Sequence, residues 1–274
     1  MKGKKNPPLI PYEMRKMVGS PGVCVLFLLY LAILAASVWL PQFRDAYFHL
    51  QETEFLLFWA FGGILPAFVT LTLILGISPL FAGDIQSRTK EEFSTCTRGR
   101  DALCSAKAAA SFLFTVLENF AYQGATYLAG LFRSRSPDWR EGIETVYLGS
   151  KFKMTIGTYC AFAMFLIFSG SLVVAALTAY ASSRSKTVIT PCAATVLFWG
   201  SEYIFQKLGG ANPITKYLYH INVCKAMNPS MNLYPGASVP FDSPAQATEI
   251  MLICFAVAVG LLLWRATRWR RSSI

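Results

Sequence analysis

The sequence predicts an all-α membrane protein with six transmembrane helices, cytoplasmic N- and C-termini and one domain spanning residues 1–274. Composition, uncharged stretches and the placement of basic residues each predict it. Of the 274 residues, 54% are hydrophobic and 15% are charged, and the mean hydropathy is +0.43. Because soluble domains carry about 25% charged residues, this composition favours a chain embedded in lipid.

Long uncharged stretches recur along the chain. A helix of about 18 or more apolar residues crosses the ~30 Å hydrocarbon core of a bilayer. Four stretches contain no Asp, Glu, Lys or Arg, and two more contain a single acid, Glu118 or Glu202. The last stretch is short, so we extend it back to Ala247 and expect Arg265 to reach outward along its aliphatic stem. The predicted spans are about residues 22–40, 55–82, 108–132, 154–181, 187–206 and 247–264.

The basic residues are distributed unevenly between the two sides that these spans define. The N-terminus, the second-to-third loop, the fourth-to-fifth loop and the C-terminus hold 16 of the 25 Lys and Arg and 5 of the 15 acids, a net charge of +11. The rest of the chain has a net charge of −1. This asymmetry is the positive-inside pattern, which predicts that both termini are cytoplasmic. It also explains the overall charge of +10 without a nucleic-acid partner.

The segments between the spans have three notable features. Residues 1–21 form a basic lead in which "PYEMRKM" can lie on the inner membrane surface as an amphipathic helix. The tight turn "SSRSK" after the fourth span makes the fourth and fifth helices antiparallel neighbours. Residues 207–248 contain five prolines and apolar residues at 3–4 spacing, which predicts an amphipathic segment at, or dipping into, the outer membrane face before the sixth span.

Cysteine and histidine do not form a recognisable site. The seven cysteines are an odd number and most lie in or near spans, so no disulfide framework or metal-ligand spacing is readable. His220 and Cys224 lie four residues apart but lack further partners. We expect no metal in this chain.

The charged insert "GDIQSRTKEEFSTCTRGRDALCSAK", residues 83–107, lies between the second and third spans. Thr89 and Glu92 have capping-box spacing, and Gly99 can end a helix. The spacing therefore predicts a short surface helix, and Lys107 opens the third span from the cytoplasmic side. Taken by itself, the same pattern also fits an ordinary solvated loop.

The insert resembles one found in the permease subunits of ATP-binding cassette (ABC) transporters of the type-2 exporter family. That family has an acid after the second span, a threonine about five residues on, a stretch of small residues and threonine, then an arginine and a lysine. The matching residues here are Asp84, Thr89, Thr95 or Thr97, Arg100 and Lys107. Asp84 stands where glutamate is more usual. Six spans, cytoplasmic termini and a proline-rich outer segment extend the resemblance over essentially the whole chain.

The resemblance implies that residues of about 84–98 form a coupling helix that sits in a groove on a separate ATP-binding subunit. ATP-driven closure of two such subunits would then move the membrane helices of two permease copies or paralogues in a plasma (inner) membrane, as in bacteria. The chain has no G-x-x-x-x-G-K-[ST] phosphate loop, so ATP and Mg²⁺ would be bound by the partner. The implied partner-coupling residues are Asp84, Thr89, Glu91, Glu92, Phe93, Arg98 and Arg100.

A second candidate site lies within the third span. Glu118 is 11 residues beyond Lys107, which places it about 16 Å deep, and an acid at that depth is by default a functional-site hypothesis. With Asn119, Tyr122 and Gln123 it forms a polar patch that could line a pathway or a dimer contact. A protonated Glu118 hydrogen-bonded to a neighbouring helix is the structural alternative.

Two other function classes remain open at this point. An intramembrane enzyme could use Glu118, Glu202 or His220, although such enzymes have clustered catalytic groups that this chain lacks. A non-catalytic scaffold or sensor is the third class. Co-purification of an ATP-binding partner, hydrolytic activity alone, or neither would distinguish the three.

Overall fold

A computed structural model describes residues 9–39, 64–87, 97–133, 139–145, 153–208, 227, 248–249, 251–257 and 259–260. The regular elements of this part of the chain are helices. They are α1 (Leu9–Val18), α2 (Pro21–Trp39), α3 (Ile64–Ile77), α4 (Pro79–Gln86), α5 (Thr97–Arg133), α6 (Ile156–Arg184) and α7 (Ile189–Leu208), with a 3₁₀ turn at Ile143–Thr145. Residues 251–257 are also helical. Strand-like pairing in the described ranges is limited to one bridge, between Gly142 and Thr155.

Three helices in the described part of the chain are long and apolar enough to cross a membrane. They cover Pro21–Trp39, Ile64–Gln86 and Ile156–Arg184, and Ile189–Ser201 is a shorter apolar helix. The prediction of an all-α protein with long apolar helices is confirmed there, and three of the six predicted spans coincide with such helices. The other three spans and the orientation of the chain stay predictions.

The apolar residues of α2 point outward as well as inward. Val25 and Leu28 are more than 60% exposed, whereas Tyr30 on the same helix is 1% exposed. A helix that is apolar on all sides is typical of a membrane span, because lipid can cover the face that the protein does not. The three spanning helices therefore support a membrane-embedded protein.

The helices on the two sides of the insert have different bounds from those predicted. Asp84 lies in α4, which continues the path of α3 after a single break at Ser78, and α5 begins at Thr97, 11 residues before the predicted third span. Gly99 is the third residue of α5 and does not end a helix. The predicted coupling helix of residues 84–98 is thus divided between α4, α5 and residues 88–96, and residues 88–96 lie outside the described part.

The reason for the longer α5 is that residues 97–107 can continue the helix of the span that follows them. At 1.5 Å per residue, the 37 residues of α5 extend about 55 Å, far more than the ~30 Å that a membrane needs. About three turns of α5 therefore project beyond the predicted span. α5 contacts α1, α2, α3 and α6, so it packs against most of the described helices.

The turn between α6 and α7 agrees with the sequence, since four residues separate two helices that contact each other. Of the predicted outer segment, residues 207–208, Met227 and Thr248 are described. Met227 is fully buried, and a Cβ added at Gly170, the middle residue of α6, would overlap its side chain. At Met227 the chain therefore reaches the middle of α6.

Close packing of α3 against α5 depends on Gly76. A Cβ added at Gly76 would lie 2.5 and 2.6 Å from ring atoms of Phe114, which is fully buried on α5. An aromatic ring in a packed core cannot move aside as a flexible side chain can. Gly76 therefore sets how closely these two helices approach.

We expect Gly76→Ala to destabilise the protein by about 1–3 kcal/mol because it overpacks this contact. Gly124→Ala is the matched control: a Cβ there meets nothing within 4 Å, and alanine has the higher helix propensity by about 1 kcal/mol. Thermal unfolding in detergent should lower the melting temperature of the first variant and leave that of the second equal or higher. Equal behaviour of both variants would contradict this account.

Candidate functional site

A buried ion pair joins Asp84, near the start of the insert, to Lys107 at its end. Lys107 Nζ lies 2.5 Å from Asp84 Oδ2 and also donates a hydrogen bond to the carbonyl oxygen of Leu80. The Lys107 side chain is 1% exposed and that of Asp84 is 19% exposed. A buried ammonium is costly unless it is paired and hydrogen-bonded, so Asp84 and Leu80 account for the position of Lys107. This pair connects α4 to the projecting part of α5.

Two residues of α1 extend the charged group. Lys16 Nζ lies 3.8 Å from Asp84 Oδ1 and 3.6 Å from Glu13 Oε1, and the Glu13 side chain is 4% exposed. Glu13, Lys16, Asp84 and Lys107 together carry no net charge. We call these four residues the charge cluster. It connects α1, α4 and α5 at the point where the chain enters the insert.

Ser182 of α6 holds the start of α4 from another side. Its Oγ accepts hydrogen bonds from the backbone N–H groups of Phe81 and Ala82, at 3.0 Å each, and donates to the carbonyl oxygen of Ser78 at 2.7 Å. The first N–H groups of a helix lack acceptors within that helix. α4 begins at Pro79, just after the break at Ser78, so its first N–H groups are of this kind. One hydroxyl can accept two hydrogen bonds and donate one, so the capacity of Ser182 is fully used.

The far end of α4 lies close to the α6–α7 turn. The Gln86 side-chain oxygen accepts a hydrogen bond from the backbone N–H of Val188 at 3.3 Å. α4 thus contacts α6 at its start and the residue before α7 at its end. It also joins α1 and α5 through the charge cluster.

The polar patch predicted on α5 faces the interior of the described helices. Tyr122 Oη and Thr72 Oγ1 are hydrogen-bonded at 2.7 Å, which joins α5 to α3. One turn further along α5, Thr126 is hydrogen-bonded to Tyr30 of α2. The Tyr30 and Tyr122 rings also pack together, with centroids 4.8 Å apart. These two tyrosines are 1% and 0% exposed, and their hydroxyls join α5 to α2 and α3.

Asn119 and Gln123 lie on the side of α5 that faces α6. Asn119 Oδ1 accepts hydrogen bonds from Ser171 at 3.3 Å and from Gln123 at 3.2 Å, and Asn119 Nδ2 donates to the carbonyl oxygen of Thr115 at 2.8 Å. Gln123 also lies 3.5 Å from the carbonyl oxygen of Met164. Hydrogen bonds of this kind stabilise contacts between apolar helices.

Glu118 differs from its neighbours because its carboxylate is not fully partnered. The residue is 7% exposed, and its Oε2 is buried without a hydrogen-bond partner in the structure. Such an atom calls for an explanation. The structural alternative, a hydrogen bond from a protonated Glu118 to a neighbouring helix, is not seen at Oε2 among the described residues. Within the patch, Glu118 Oε2 is the one described side-chain atom that is buried without a hydrogen-bond partner.

The predicted coupling residues are only partly described. Asp84 is in the charge cluster, and Arg98 and Arg100 lie in the first turn of α5. Thr89, Glu91, Glu92 and Phe93 lie outside the described residues. Sequence reasoning missed Glu13, Lys16 and Ser182. The spacing of Lys16 from Tyr12 and from Glu13 predicts contacts within α1 only, not a contact with another helix. Nothing in the sequence distinguishes Ser182 from the serines next to it.

The described residues contain no group of three or more His, Cys, Asp or Glu side chains that could hold a metal ion. Comparison of the chain with protein-family models, with curated proteins and with solved structures found no match in any of the three.

We expect the Lys107–Asp84 pair to show strong non-additivity. Asp84→Leu leaves the buried ammonium unpaired and should cost about 3–5 kcal/mol, whereas Asp84→Leu combined with Lys107→Met removes both charges and should recover most of that loss. Lys186→Met, at an exposed lysine, is the control for the loss of a positive charge. Thermal unfolding of the wild type, Asp84→Leu, Lys107→Met and the double variant gives the coupling. A double variant as unstable as the sum of the two single variants would contradict the pairing.

Tyr122 and Thr72 should behave as a hydrogen-bonded pair that is not needed for folding. Tyr122→Phe and Thr72→Val should each cost about 1 kcal/mol, because each leaves a buried partner hydroxyl unsatisfied, and the double variant should cost less than the sum. Tyr180→Phe is the matched control, since the Tyr180 hydroxyl bonds the exposed Arg184. Additive losses in the double-mutant cycle would show that the two hydroxyls act independently.

Proposed function

We propose that the chain is the membrane-spanning permease subunit of an ATP-driven ABC transporter of the type-2 exporter family. The observation that carries the proposal is the Lys107–Asp84 pair. The resemblance rests mainly on the architecture of the chain, together with the motif in the insert. Two residues of that motif, Asp84 near the start of the insert and Lys107 at its end, are 23 residues apart in the sequence. A structural role for the motif requires these two side chains to contact each other, and they do.

The position of the pair supports a mechanical role for the insert. Residues 88–96 connect α4 to α5 along the chain, and the pair joins the two helices on either side of them. A force applied between two helices that are joined in this way acts on both of them together. An insert whose two ends moved independently would absorb the same force by changing shape.

The division of labour in this proposal follows from the residues of the chain. ATP and Mg²⁺ are bound by a separate ATP-binding cassette subunit, which contacts the insert through Thr89, Glu91, Glu92, Phe93, Arg98 and Arg100. A second permease copy or a paralogue completes the pathway, and the lipid of a plasma membrane covers the outward apolar faces. No catalytic residue is assigned to this chain.

The α5 patch has two parts in this proposal. Asn119, Tyr122 and Gln123 hold α5 against α3 and α6, as their hydrogen bonds indicate. Glu118, with its free carboxylate oxygen, is the candidate pathway residue.

The test is co-expression with candidate ATP-binding cassette subunits, beginning with any that a neighbouring gene encodes, followed by a pull-down in mild detergent. We expect the ATP-binding protein to co-purify with the wild type and to be lost from the triple variant Glu91→Lys, Glu92→Lys, Arg98→Glu. The reversed side chains would be repelled by the charges that bind them in the groove of the ATP-binding subunit. Arg140→Glu, Glu141→Lys and Glu144→Lys form a matched control with the same three charge changes on the predicted outer side.

Two results would count against the proposed function. One is a wild-type chain that never co-purifies with an ATP-binding protein. The other is a complex that the insert and the outer-loop variants weaken equally, since the contact would then not depend on the insert.

A further inference from the structure

α4 is a short helix that follows a break at Ser78 in the second predicted span. Side chains of α5 and α6 contact it from two sides. The break is at Ser78–Pro79, where proline lacks the N–H that would continue the helical hydrogen bonds. Ser78 keeps helical backbone angles, φ −52° and ψ −40°, and its N–H still bonds the carbonyl oxygen of Ile74 at 2.9 Å. The missing N–H of Pro79 makes this a place where the chain can bend. In the described conformation, Ser78 is nevertheless helical.

The side-chain contacts across this break oppose bending. Ser182 bonds residues on both sides of it, the carbonyl of Ser78 before the proline and the N–H groups of Phe81 and Ala82 after it. A bend at Pro79 would move these groups apart, and all three hydrogen bonds could not be kept. Ser182 is fully buried, so water would not readily replace them.

The opposite side of α4 is held by charge. Lys107 contacts both Leu80, in the first turn of α4, and Asp84, in its second turn, and it is 1% exposed. Lys16 adds a weaker contact from α1, at 3.8 Å and 46% exposed. Rotation of α4 relative to α5 would break the contact of the buried ammonium with at least one of its two partners.

We propose that α4 is a rigid arm, fixed to α6 by Ser182 and to α5 by Lys107, so that movement of the insert displaces α5 and α6 together and does not bend the chain at Ser78–Pro79. The inference rests on the proposed function for the source of the movement. The attachment itself rests only on the contacts described. Ser182 and Lys107 are positioning residues in this account, since they act through α4.

The amide hydrogens of Phe81 and Ala82 report directly on the arm, because Ser182 is their acceptor. Hydrogen–deuterium exchange of the full chain in complex with its ATP-binding protein, with and without ATP, should show both amides protected in both states. In Ser182→Ala they should exchange about tenfold faster. Ser183→Ala is the matched control, since the Ser183 hydroxyl bonds only the carbonyl of Tyr180 in its own helix at 2.7 Å.

Coupling is measured in the same complexes. We expect the Ser182→Ala chain to bind the ATP-binding protein as the wild type does, while the ATP-dependent change in exchange of the α5 and α6 peptides falls about threefold or more. Ser182→Thr keeps a hydroxyl and should restore part of the protection and of the coupling. A purely structural role would lower stability without this partial rescue of the ATP response.

The outcomes separate the inference from the function on which it rests. Loss of Phe81 and Ala82 protection in the wild type on adding ATP would mean that the chain bends at Pro79 and would overturn the rigid arm. Wild-type coupling in Ser182→Ala would overturn it as well. If Ser182→Ala does not fold, the wild-type comparison with and without ATP still decides between bending and rigidity.

If no ATP-binding protein associates with the wild type, the proposed function fails, and the transmitting role of the arm fails with it. Exchange in the chain alone then reports only whether Ser182 holds α4.

Discussion

The buried ammonium of Lys107 is the constraint around which the described end of the helix bundle is arranged. An ammonium taken out of water must be paired and hydrogen-bonded, since the cost of leaving it alone is several kcal/mol. Asp84 and the Leu80 carbonyl meet that need, and both belong to α4. The requirement therefore keeps the start of α4 within reach of the Lys107 side chain of α5. α4 itself packs against α6, where Ser182 Oγ accepts hydrogen bonds from the N–H groups of Phe81 and Ala82.

The charge cluster also joins the N-terminal helix to α4, and α1 packs on α5 as well. α1 contributes Glu13 and Lys16 to the charge cluster, and Met17 beside them is 2% exposed. A helix of ten residues is marginal by itself, so its stability comes from this packing. The exposed apolar residues of α1, including Leu9, Ile10 and Tyr12, are on its remaining surface. We expect the membrane surface to cover them, as the amphipathic lead predicts.

The polar stripe of α5 shows why a long helix with a polar side can belong to an apolar bundle. Thr72, Tyr30 and Ser171 from three different helices supply partners for its polar groups. α5 is for this reason less apolar than the three helices that are long and apolar enough to cross a membrane, although it contacts all three of them. A polar side chain facing inward costs little when a partner is in place. Glu118 stands apart because its Oε2 lacks one.

The sequence by itself determined the helical class, the approximate positions of the long apolar helices and the existence of a charged insert at residues 83–107. Those features follow from composition and from the length of uncharged runs, which are local properties of the chain. It also singled out Asp84 and Lys107, but as two ends of a motif and not as a bonded pair. It placed Gly99 at a helix end, whereas Gly99 is inside α5, because a glycine near a helix start is tolerated when the following residues continue the helix.

Only the tertiary structure decided which polar groups meet. Ser182 is 101 and 100 residues from the two amides that it bonds, and Lys16 is 68 residues from Asp84, so no spacing rule along the chain could pair them. The patch of Glu118, Asn119, Tyr122 and Gln123 was correctly recognised as polar. Which of its members hold helices together, and which one keeps a free oxygen, depended on the residues that α3 and α6 bring to it. The physical reason is that burial and hydrogen bonding are properties of neighbouring helices, whereas hydropathy is a property of each residue.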